Sequence, residues 1–136
     1  MTAKRWVFAY LIAVPVFFAV DMVWLGLIAA DYYAHHLGHL LGPVNWPAAF
    51  LFYLMFVAGI VIFGVRPALM AGSLTPALLW GGLYGFFTYG TYELTNLATL
   101  KHWPWTMAII DIGWGIFLSA LVATVTSAIM LFLDRR

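Results

Sequence analysis

Four apolar stretches, parted by three short breaks, make up most of this chain and tie it to a membrane. They run from about Trp6 to about Ala30, from about Pro47 to Val65, from about Pro76 to about Leu100, and from about Pro104 to Leu133. Each is near or above the roughly 20 residues that an α-helix needs to cross a ~30 Å hydrocarbon core. Of the 136 residues, 65% are hydrophobic and 8% are charged. A water-soluble fold of this size could not cover so much apolar surface with so few charges. The expectation is an all-α protein: a single domain over residues 1–136, folded as a bundle of four transmembrane helices. Proline opens three stretches (Pro47, Pro76 and Pro104), where its missing N–H leaves no bond unmade. Thr75 precedes Pro76 as an N-cap. The first stretch is long for a signal-peptide core, carries Asp21 and lacks a small-x-small cleavage site, so it reads as a retained helix.

The distribution of basic residues orients the bundle. With four crossings, Lys4, Arg5, Arg66, Arg135 and Arg136 share one side, and Lys101 alone lies on the other. The positive-inside rule places both termini in the cytoplasm. These residues sit at segment ends and form no patch for nucleic acid. The absence of cysteine excludes disulfides and thiolate metal sites. The partners implied are membrane lipids, with a homo-oligomer or a larger membrane complex left open. No particular cofactor is indicated.

The connection after the first stretch can continue as a short interfacial helix over Asp31–Leu41, ending at Gly42-Pro43. Asp31, His35 and His39 are spaced i, i+4, i+8 and would share its face. With His102 on the same side, they are candidates for a metal or proton site. The plainer alternative is a helix whose imidazoles lie among headgroups.

Only Asp21, Glu93 and Asp111 are charged residues well inside the spans. A charge in hydrocarbon costs at least ~2.5–3.5 kcal/mol, so each acid needs a donor, a partner or a proton. At ~1.5 Å per residue, Asp21 lies ~14 Å below the outer end of its helix, and Glu93 and Asp111 ~10 Å below theirs. Tyr53, Tyr89, Tyr92 and Asn96 reach a similar depth, so four helices offer polar groups at one level. Asp111, Gly115, Ser119, Ala123 and Ser127 repeat every four residues, a small-residue stripe suited to close helix packing. The first and last helices share an Asp-x-x-Trp spacing, Asp21 to Trp24 and Asp111 to Trp114. If they are antiparallel neighbours, one register sets Asp21 beside Trp114 and Asp111 beside Trp24. Indole N–H is a donor and a buried carboxylate needs donors, so this pairing would make the two aspartates fold determinants. Glu93 has no such evident partner.

Three segments also carry a resemblance: Asp21-Met22-Val23-Trp24-Leu25-Gly26, Thr91-Tyr92-Glu93-Leu94-Thr95-Asn96-Leu97-Ala98-Thr99-Leu100, and Asp111-Ile112-Gly113-Trp114-Gly115. With Arg66-Pro67, they resemble a family of small bacterial inner-membrane proteins classed as a domain of unknown function. The likeness spans nearly the whole chain. It implies a multi-pass protein of the inner membrane and no activity.

Three functional readings follow. The first is a membrane-embedded binding protein or complex subunit whose outer pocket takes a lipid-like or cationic ligand. The second is a membrane enzyme using the carboxylates as acid/base groups or metal ligands. The third is a proton-coupled transporter, disfavoured because Pro15 is the only interior proline in any span. The enzyme reading lacks a specific motif, having no His-x-x-x-His, nucleophile elbow or phosphate loop.

Overall fold

The computed structural model describes all 136 residues, as helices joined by short turns without a strand. Helix α1 spans Ala3–Val23. Thr2 caps it, its Oγ1 accepting the Arg5 N–H at 3.2 Å. The helix then widens into a π-helical turn, Trp24–Ile28. A short helix α2, Ala30–Leu37, follows. Helix α3 spans Trp46–Ile60, capped by Asn45, whose Oδ1 accepts the Ala48 N–H at 3.2 Å. A second π-helical turn, Val61–Val65, leads into α4, Arg66–Ala71. The bundle closes with α5, Thr75–Thr99, and α6, Trp105–Asp134.

Three continuous segments are long and apolar enough to cross a membrane: Ala3–Ile28, Trp46–Ala71 and Trp105–Asp134. Helix α5 matches them in length with 25 residues. Its C-terminal part is polar, carrying Thr88, Thr91, Tyr92, Glu93, Thr95, Asn96 and Thr99.

Local structure departs from expectation at three places. The second apolar stretch does not stop at Val65 but runs on through Pro67 to Ala71. A proline within a helix lacks a donor and crowds the preceding turn. Here that turn is already widened, with the Arg66 N–H bonding back five residues to the Val61 carbonyl. Thr75 is the first residue of α5 and Leu74 takes the N-cap position without a side-chain cap, while Ser73 Oγ accepts the Thr75 N–H at 3.3 Å. The short helix α2 ends at Leu37, before Gly42-Pro43, because Gly38 is a poor helix former. The chain tightens there, the Leu40 and Leu41 N–H groups both reaching the Leu37 carbonyl at 2.8 and 3.1 Å.

Helices α5 and α6 pack along most of their length. Glycine permits the approach: a Cβ on Gly81 would meet Ala123 Cβ at 2.9 Å, and one on Gly85 would strike the Gly115 carbonyl. The stripe Asp111, Gly115, Ser119, Ala123 and Ser127 is buried throughout. Gly64, in the second π-turn, brings that segment against Ala123 and Gly81 in the same way. Helix α1 lies against α6 with Ala9, Ala13 and Phe17 buried. Arg5 pairs with Asp134 at 2.9 Å, joining the start of α1 to the end of α6.

Helix α3 makes few contacts with α5 or α6. Two tyrosines tether it, Tyr10 donating to the Leu54 carbonyl at 2.9 Å and Tyr84 to the Phe56 carbonyl at 3.1 Å. The core therefore closes around the π-turn and the small-residue stripe. At the other end of the bundle, α3 stands off and leaves a cavity.

Candidate functional site

That cavity has a volume of about 660 Å³ and is lined by residues of α1, α2, α3, α5 and α6. Its floor is acidic and its walls are aromatic. Asp21, Glu93 and Asp111 all line it, at 5%, 1% and 7% exposure. The sole ion pair of the molecule is Arg5–Asp134, so none of the three acids has a cationic partner.

Each acid is held differently. Glu93 accepts a buried hydrogen bond from the Trp103 indole, Nε1 to Oε2 at 2.7 Å. Trp103 sits in the turn between α5 and α6, and that turn is tight enough to put His102 at φ 62°. Asp111 accepts from the Tyr33 hydroxyl at 2.5 Å, and the same hydroxyl accepts from the Trp24 indole at 3.1 Å. Burial, then the bond to Asp111, raise the pKa of Tyr33 above that of a free phenol, so it remains a donor. Glu93 and Asp111 face the same cavity. Asp21 lies close to the Trp114 indole, as the shared spacing suggests, but the pair falls short of hydrogen-bond geometry, and the buried Trp114 Nε1 has no partner.

The predicted level of polar groups is thus gathered into one place. Asp21, Glu93, Asp111, Tyr53, Tyr89, Tyr92, Trp24 and Trp114 all line the cavity, and Asn96 does not. Trp24 and Trp114 are neighbours, as the shared spacing suggests, but they meet face to face, with centroids 4.5 Å apart and planes 8° apart. The direct Asp111–Trp24 bond is replaced by a relay through the Tyr33 hydroxyl. No group of three His, Asp or Glu side chains stands at metal-binding spacing, so Asp31, His35, His39 and His102 do not converge as ligands. His36, between the two predicted ligands, places Nδ1 2.9 Å from the Tyr32 carbonyl.

Tyr33 and Trp103 escape a reading of the spans because both lie outside them, in α2 and in the α5–α6 turn. Their signal was present: each is an aromatic with a polar tip beside a segment that carries an unpaired acid. Phe52 and Met55 of α3 line the cavity while remaining 47% and 66% exposed, and so form its open rim.

The chain matches no curated protein and no solved structure. Residues 6–128 match the family model described as "Predicted membrane protein (DUF2177)", and the chain belongs to that family of membrane proteins of unknown function.

Proposed function

We propose that this is a membrane-embedded binding protein, alone or as a subunit of a complex, whose cavity holds a lipid-like molecule with its polar end at the carboxyl cluster. The observation that carries this is the pairing of an aromatic cavity of about 660 Å³ with three buried carboxyl groups that have no cation of their own. A binding site of this kind is mostly apolar, with a few placed polar groups that orient the ligand. The exposed rim at Phe52 and Met55 gives an amphiphile a path from the bilayer without crossing water.

In this reading α5 is the fourth crossing. Its 25 residues span ~37 Å as a helix, and its polar residues are tolerated because Glu93, Tyr89, Tyr92 and Thr88 face the cavity. Both termini are cytoplasmic, the membrane is the bacterial inner membrane, and the cavity lies in the outer half of the bilayer. Purification in mild detergent followed by native mass spectrometry tests the proposal. A co-purifying amphiphile, lost when Glu93 or Asp21 is neutralised, is the expected result. A protein that is folded and monodisperse yet carries no small molecule and binds none overturns it.

A further inference from the structure

We propose that the occupant's polar end is a protonated primary or secondary amine, anchored by Asp21 and the free face of Asp111. The inference rests on the binding reading above and narrows its ligand class. It follows from counting donors and acceptors at the acidic floor.

Glu93 has its donor in Trp103, and Asp111 has one in Tyr33. Trp24, which could have served Asp111, spends its single N–H on the Tyr33 hydroxyl. Asp21 is only 5% exposed, lines the cavity and has no donor at hydrogen-bond geometry. No lysine, arginine or histidine pairs with it. The Trp114 N–H comes close and remains unpartnered. Each carboxylate oxygen accepts through two lone pairs, so acceptors at this floor outnumber the donors the protein supplies. A buried carboxylate without donors is costly, and an occupant of the cavity that brings donors relieves that cost.

A neutral alcohol offers one donor and no charge. A quaternary ammonium offers charge and no N–H, so it would leave the acceptors of Asp21 unmet. A protonated amine offers two or three N–H donors and a compensating charge. It can address Asp21 and Asp111 together, since the two carboxyls line the same cavity. The stacked Trp24–Trp114 pair lies beside them and suits a cation's flank. The attached chain then lies along Phe52, Met55 and Phe56 towards the rim.

Three probes with the same alkyl chain separate the possibilities: dodecylamine, dodecyltrimethylammonium and dodecanol. Each is titrated at neutral pH into the full-length protein in zwitterionic nanodiscs, with empty nanodiscs subtracted, and binding is read by calorimetry and Trp fluorescence. Dodecylamine should bind about ten- to a hundredfold more tightly than dodecanol, the effect of hydrogen bonds to a charged group. It should also exceed dodecyltrimethylammonium by about tenfold. Asp21→Asn should lose most of the preference for the amine while dodecanol binding is kept. If dodecanol matches dodecylamine, the amine inference fails and the amphiphile pocket survives. Equal binding of the trimethylammonium probe also overturns it, since charge alone would then suffice. If none of the three binds the folded protein, the binding reading falls as well. The comparison of probes on the unaltered protein decides the matter even if Asp21→Asn does not fold.

Discussion

Trp103 reaches back from the turn after α5 to donate its indole N–H to Glu93 at 2.7 Å, ten residues earlier and almost fully buried. The bond joins the loop to the least exposed of the three carboxyls, and both partners line the cavity. Trp103→Phe keeps the ring and removes the donor. It should cost about 1–3 kcal/mol, the penalty for leaving a buried acceptor unmet. Unfolding in mixed micelles by a denaturing detergent measures this, and an unchanged midpoint would show that Glu93 has another donor.

Glu93→Gln tests the carboxyl itself. The amide oxygen can still accept from Trp103, so helical content and unfolding should stay within about 1 kcal/mol of the parent. The acid that lines the cavity is lost, and with it the retention of any bound amphiphile. A variant that keeps its ligand at every pH would assign Glu93 a structural role only.

Tyr33 links two elements through one hydroxyl, accepting from Trp24 and donating to Asp111. Tyr33→Phe breaks both bonds and leaves α2 held by apolar contact and the Tyr32–Thr106 hydroxyl pair at 3.4 Å. Amide hydrogen exchange over residues 29–42 should quicken several-fold, while the α5–α6 pair stays protected. Unchanged exchange in that segment would mean the relay does not hold α2 down.

The α5–α6 contact gives a test with its own control. Gly85→Ala places a methyl group against the Gly115 backbone carbonyl, which cannot move aside as a side chain can. It should destabilise the bundle by about 1–3 kcal/mol. Gly113→Ala, on the same helix pair, meets nothing within 4 Å and should be neutral or slightly stabilising. Equal effects at the two positions would contradict the close packing described for α5 and α6.

The orientation is tested by fusion. Alkaline phosphatase joined after Arg136 should be inactive, and the same enzyme inserted near Lys101 should be active, as five of the six basic residues on one side require. Activity at the C-terminus would invert the bundle and move the carboxyl cluster to the inner half.

The membrane location, the all-helical class and the polar level of Asp21, Glu93 and Asp111 were legible in the sequence, because the cost of burying charge or backbone in lipid acts on every residue in turn. The small-residue stripe from Asp111 to Ser127 was legible for a related reason: helical periodicity puts those positions on one face. The partners of the acids were not. Trp103 and Tyr33 reach Glu93 and Asp111 only because a turn and a short helix fold back over the end of the bundle, and no periodicity within a span encodes that return. The two π-turns were equally hidden, since widening a helix by one residue depends on what packs against it. Gly64 against Ala123 and the passage through Pro67 exist only in the assembled bundle. Sequence alone determined which groups cannot face lipid. Tertiary structure decided which donors meet them, and it left Asp21 without one, because donor geometry is set by how distant segments pack and not by where they lie along the chain.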